Sequence, residues 1–520
     1  MNKVTTNSTR LASYRYAGLG YDAPISTFLK LALALWSVVA LGIFLILVSP
    51  LGMLREDRLY LVPWCIGLGV VTLAPVGVLY AKGRLDPFHP LVLPVWTYFF
   101  PGFVVGGFIL AAGFSQAHYV AYIRDEASDL PLTFLYIIVG FAALVAGFAF
   151  FPFGRIGEFL DRRILPKWEI LDSDAKTGGL VLLGVGLASF SIAFSLGFLR
   201  YHRLEEVSPF SGLIAMSTVF WYQATLILSI HFFRLTKRRT SDYALMGVLV
   251  ASAVLTALLL GSRGGLMHFL LPIAAGFLYS GRRIVAKHYA GLGLVLVALL
   301  VAGAIYGTTF RDIRGNQESA SMEAYASTIP RTFESILEQG PVNVLGFGLS
   351  ALATRIELVS SVAVVVSNYE ILAPYEDEYG ISNNIMVETF TFFIPRFIWN
   401  DKPVSVDPAK YAELYFNYSD NSFSMTPIAD LLRNFGPVGI PIGMFLLGGL
   451  LRVLHQGLIG SQQFSYWRFP LYFLLVTSVS YDGTFGGIVP LLFKTAVVVA
   501  IGFVIVWLVT VRLGGRRSTA

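Results

Sequence analysis

Runs of about twenty apolar residues recur along nearly the whole chain, and no other feature narrows its fold as far. A helix of about that length crosses a hydrocarbon core of roughly 30 Å. With 55% hydrophobic residues, 13% charged residues and a mean hydropathy of +0.68 over 520 residues, a water-soluble fold is excluded. The expected class is an all-α polytopic membrane protein. About twelve spans can be placed, near 27–49, 60–82, 89–115, 130–153, 177–199, 212–234, 242–261, 263–280, 288–308, 433–452, 468–481 and 486–511. The first has too long an apolar region, and too poor a small-residue site after it, for a cleaved leader. It reads as a signal anchor. The single cysteine, Cys65, excludes an intrachain disulfide framework and a multi-cysteine metal site.

Lysine and arginine positions orient the spans, because cytoplasmic loops of membrane proteins carry an excess of them. With the N-terminus in the cytoplasm, the inner segments hold 23 of these residues and the short outer loops six. Both termini are therefore expected in the cytoplasm: residues 1–26 form an inner tail, 27–308 spans one to nine, 433–511 spans ten to twelve, and 512–520 a second tail. The sequence pI of about 9.2 then reflects inner-leaflet anchoring, and no nucleic-acid partner is needed to explain it.

Residues 309–432 break the rhythm. They form a long outer, periplasmic loop that holds 16 of the 32 acidic residues. Loops this long are uncommon unless functional. Within it, 342–366 reads as an amphipathic or re-entrant helix along the outer leaflet, and 383–395 as a second helix stopped by Pro395.

The outer side also carries arginines that a positive-inside bias should remove: Arg200, Arg203, Arg263, Arg311, Arg314, Arg331, Arg355, Arg396 and Arg433. A guanidinium fork suits bidentate binding of phosphate oxygens; the alternative is pairing with the loop's acids. Arg263 lies in the tight GSRGG turn (261–265), where glycines let a headgroup approach the backbone. Arg396 lies in FFIPRFIWNDKP (392–403), where Arg396 and Lys402 are placed to hold a diphosphate or sugar while Trp399 and Pro403 fix the turn. Trp399, Tyr411, Tyr415 and Tyr418 are candidates for stacking on sugar rings, or for an interfacial aromatic belt.

A reaction at such a diphosphate in which a hydroxyl attacks would need a base. The candidates are Glu357, Glu388, Asp430 and Asp482, with His202 and His268 behind them; each carboxylate has pairing with an arginine as its simpler explanation. Lys494, inside the last span, is a functional candidate or a snorkelling residue. The YEDEY run (375–379) reads as solvated acids, and no metal site is expected.

The GSRGG turn, DPFHPLVLPVWTYFF (86–100), IPRFIWNDKP (394–403) and MTPIADLLRNFGPVG (425–439), in that order, resemble the Wzy-type O-antigen polymerases, or oligosaccharide repeat unit polymerases. The resemblance covers spans three to twelve. It implies a GT-C-like architecture in a bacterial inner membrane and transfer of a growing polysaccharide from undecaprenyl diphosphate to an incoming lipid-linked oligosaccharide. It implies no metal or nucleotide-sugar cofactor, and it admits a chain-length regulator and a flippase as partners beside membrane lipid. A polysaccharide ligase would use the same leaving group; a polytopic transporter is a further alternative.

Overall fold

A computed structural model of the chain describes residues 56–82, 85–115, 118–167, 169–196, 211–261, 265–281, 286–314, 322–340, 343–344, 346, 356–394, 398–399, 408–418, 425–460 and 464–514. The first expected span, the N-terminal tail, residues 515–520, Arg200, His202, Arg203, Arg263, Arg355, Arg396 and Lys402 lie outside the described residues; residues 512–514 of the expected second tail are helical. Among the described residues the chain is helical and has no strand.

The helices follow the apolar runs. They are α1 Val62–Ala81, α2 Val95–Ala111, α3 Glu126–Ala149, α4 Phe151–Arg163, α5 Asp172–Ser195, α6 Val219–Arg234, α7 Thr240–Leu260, α8 Gly265–Tyr279 and α9 Ala286–Arg314. The loop region contributes α10 Met322–Gln339, α11 Val359–Glu378, α12 Asn384–Thr391 and α13 Pro408–Phe416; α14 Pro427–Leu458, α15 Arg468–Ser478 and α16 Phe485–Gly514 complete the chain. Among the described residues, seven helices, or helices with their flanking turns, are long and apolar enough to cross a membrane, and α2 and α8 are shorter apolar helices. The protein is thus a multi-pass membrane protein by length and composition of its helices.

Three small-residue contacts fix the direction of packing. Gly140 of α3 meets Ile440 of α14, Gly147 meets Phe445, and Gly157 of α4 meets Gln456. The numbers rise together, so α3 and the second part of α14 run parallel and start on the same side. That agrees with the parity expected for spans four and ten. A Cβ on Gly147 would strike the Phe445 carbonyl oxygen, and one on Gly448 the Leu144 carbonyl oxygen. In lipid, where apolar burial gives helices little reason to associate, such close backbone approach supplies the packing.

Gly448→Val should therefore force α3 and α14 apart, at a cost of about 1–3 kcal/mol or more. Gly184, which has nothing within 4 Å of an added Cβ, is the control. Thermal unfolding in detergent should show a clear loss for Gly448→Val and little change for Gly184→Ala. Equal midpoints would contradict this packing.

Helix α2 is π-helical over Val95–Val105, with Pro101 inside it. Proline has no N–H and crowds the preceding turn. The carbonyl of Gly102 accepts from Leu358 N at 3.1 Å. The loop segment 356–358 lies flat on this helix, because Gly102 and Gly106 leave room for its backbone. Helix α11 starts immediately afterwards, at Val359, and runs to Glu378. Within the helix expected over 342–366, the described residues 343, 344, 346 and 356 are helical, 357 and 358 are not, and the helix from Val359 runs beyond the expected end to Glu378. Its start is set by the Glu357 carboxylate, which accepts from Ser360 N at 2.8 Å.

Candidate functional site

Helix α14 is broken. Thr426 caps it by accepting from Ala429 N at 3.1 Å, and Pro427 occupies the first turn, where its missing N–H costs nothing. Nine residues on, Gly436 takes φ 67°, ψ −168°, a conformation open essentially to glycine alone. Pro437 follows and withholds the N–H that a continuing helix would use. The two arms double back on each other: Ile428 and Ile440 both rest on Gly140, and Leu431 fills the space left by Gly443.

The buried face of the first arm carries Asp430 and Arg433, an i, i+3 pair on neighbouring turns. Both side chains are fully enclosed. Arg433 Nη1 donates to Glu376 Oε2 and to the Ile381 carbonyl, each at 2.9 Å. Its Nη2 donates to Asp430 Oδ1 at 3.1 Å and to Asn384 Oδ1. Asn434 adds donations to Asn384 Oδ1 and to the Asp430 carbonyl, at 2.9 and 2.8 Å. One arginine thereby ties α11, the 381–384 turn and α12 to α14. Only its Nε lacks a hydrogen-bond partner among the described residues.

Glu376 is buried among exposed neighbours, Asp377 and Glu378. Burial raises its pKa, although the Arg433 charge and the hydrogen bonds from Tyr415 and Arg433 pull the other way. Tyr415 of α13 donates to Glu376 Oε1 at 2.7 Å. Tyr411 and Tyr415 are consequently packed inside this network, 5.0 Å apart, not open for a sugar to stack on. Tyr418 is exposed.

The N-terminus of α16 closes the group. Gly486 N donates to Asp430 Oδ2 at 3.3 Å, and Asn384 Nδ2 approaches the same oxygen at 3.4 Å. Glu388, buried on the inner face of α12, sits beside Gly486: a Cβ there would lie 2.9 Å from Glu388 Oε2. The positive end of a long helix thus faces two carboxylates. Two of the four base candidates, Glu388 and Asp430, are brought to one place.

The other two are elsewhere. Glu357 is fully buried in a separate pocket with Ser115, whose hydroxyl donates to it at 3.0 Å, and with Ser360. Burial raises its pKa, partly opposed by the hydrogen bonds from Ser360 and Ser115. Asp482 is exposed in a turn, bonded by Ser480. Arg311 and Arg314 lie together on the last turn of α9, Arg314 buried, and Trp399 is partly exposed. His268 packs edge-on to Tyr222 and Phe269 in an aromatic layer. Lys494 is exposed on α16. The outer arginines of the 197–210, 262–264, 347–355 and 395–397 stretches lie outside the described residues, so the phosphate-binding set stays an expectation there.

Sequence reading did not single out Glu376 or Asn384. Glu376 stands in a run of acids that looks solvated, and Asn384 in a polar turn; only the fold separates them from their neighbours. Arg433 was visible as an outer arginine, and its spacing from Asp430 was the available signal for an internal pair.

No protein-family model, curated protein or solved structure matches the chain. Fold and site together define an all-helical, multi-pass membrane protein in which loop helices are clamped by a buried ion network onto a broken helix.

Proposed function

We propose that this protein is a polysaccharide polymerase, a glycosyltransferase that joins undecaprenyl-diphosphate-linked repeat units at the outer face of a bacterial inner membrane. In this reading the chain has about twelve spans in a GT-C-like arrangement, with both termini cytoplasmic. The observation that carries it is the convergence of Glu388 and Asp430 at the junction of the loop helices with α14 and α16.

Asp430 accepts from Arg433, Asn434, Asn384 and Gly486 N, so its charge is held by donors and it positions the group. Arg433 has given four N–H contacts to protein acceptors and is a clamp on the fold, not on a diphosphate. The base role falls to Glu388. It takes the proton of the acceptor sugar's hydroxyl as that oxygen bonds to the anomeric carbon of the donor. The bond from that carbon to the diphosphate oxygen breaks, and undecaprenyl diphosphate leaves with the electron pair. Cationic groups lower this barrier where the leaving charge develops. Arg311 and Arg314 are assigned that role, together with Arg200, Arg203, Arg263, Arg355, Arg396 and Lys402, with Trp399 beside the sugar.

A transporter is the second reading, because a discontinuous helix beside buried ionic groups is how many carriers build a binding site. Gene deletion separates the readings through glycan chain length. Single-repeat glycans on the cell surface support a polymerase. Full-length but unattached polymer would identify a ligase, and repeat units trapped on the cytoplasmic side a transporter.

A further inference from the structure

Helix α12 has two unlike faces. Asn384, Ile385 and Glu388 are buried against α14 and α16. Met386 and Phe390, one turn apart, point outward, and Phe393 and Ile398 continue the exposed apolar surface beyond the helix; Phe390 is 63% exposed. In a protein surrounded by water such a patch of large side chains would be costly, and a contiguous patch of this kind marks an interaction surface.

Its position says what covers it. Helix α12 lies parallel to the beginning of α16: Ile385 meets Gly486, and Phe392 meets Phe493 with ring centroids 5.1 Å apart. Seven residues of advance on each helix correspond to roughly 10 Å along the spanning helix. From Phe493 onward, α16 turns a row of exposed apolar residues outward (Val497, Ile501, Val504 and Leu508), the face that a spanning helix gives to lipid. Lys494, exposed beside Phe493, lies at the start of that face. A lysine there snorkels to the phosphate level. The outward face of α12 therefore continues the lipid-facing surface at the height of the headgroups.

We propose that α12 is a membrane-interface helix whose Met386–Phe390–Phe393 face is covered by the acyl chains of bilayer phospholipid, while its other face closes the Glu388–Asp430 centre. The proposal does not depend on the reaction assigned above. Because Cys65 is the only cysteine and is buried, a Cys65→Ala background allows single cysteines to carry a nitroxide. Spin labels at Phe390 and, independently, at Met386 would be compared in phospholipid bilayers with labels at Val504, on the lipid face, and Glu378, an exposed acid. Collision with oxygen should exceed collision with a water-soluble nickel chelate at Phe390 and Met386, as at Val504. Nickel collision matching that at Glu378 would overturn the proposal, and so would weak collision with both reagents, which marks a protein-covered face.

Discussion

Arg433→Ala should remove most of the folded protein from the membrane. The substitution leaves Glu376 and Asp430 enclosed without their cation, and breaking a buried pair in this way costs about 3–5 kcal/mol. That is a large share of the stability of an ordinary domain. The loss should appear as low yield and a strongly lowered unfolding midpoint in detergent. Arg433→Lys should recover little, because one ammonium cannot reach Glu376, the Ile381 carbonyl, Asn384 and Asp430 as the planar fork does. Combining Arg433→Met with Glu376→Gln and Asp430→Asn removes the uncompensated charges and should restore part of the stability. Arg162→Ala, which breaks an exposed pair with Glu158, should change the midpoint little. A midpoint for Arg433→Ala equal to that of Arg162→Ala would mean that the network does not hold the loop helices.

Glu388→Gln should separate catalysis from folding. Glutamine keeps the shape beside Gly486 but cannot take a proton, and loss of a positioned base lowers rate by about 10²- to 10⁴-fold. Protein level and unfolding midpoint should stay near those of the parent, while chain extension in a deletion strain falls to single repeats. A full-length glycan ladder from Glu388→Gln at parental protein level would remove Glu388 from the chemistry.

The two predictions divide along what the sequence made legible. Apolar runs near 60–82 and 242–261 gave helices at Val62–Ala81 and Thr240–Leu260, because in these segments hydropathy and length decide the structure. Base candidates could be named by residue type and by their place in the outer loop. What could not be read was which of them meet. Glu376 and Arg433 are 57 residues apart, and Asn384 and Asp430 are 46 apart. Their pairing depends on α14 doubling back at Gly436-Pro437. Gly436 and Pro437 lie inside the expected tenth span (433–452), which hydropathy reads as one continuous helix. The same break explains why Arg433 turned inward: its arm of α14 lies against the loop helices, where protein acceptors satisfy the guanidinium that a surface position would leave for a ligand.

The most direct measurement is made with the purified protein in phospholipid vesicles, supplied with an undecaprenyl-diphosphate-linked repeat unit as both donor and acceptor. The account predicts a ladder of longer lipid-linked glycans with one undecaprenyl diphosphate released for each bond formed, and no ladder with Glu388→Gln. Repeat units that stay single while the protein is folded, or that cross the bilayer without joining, would contradict it.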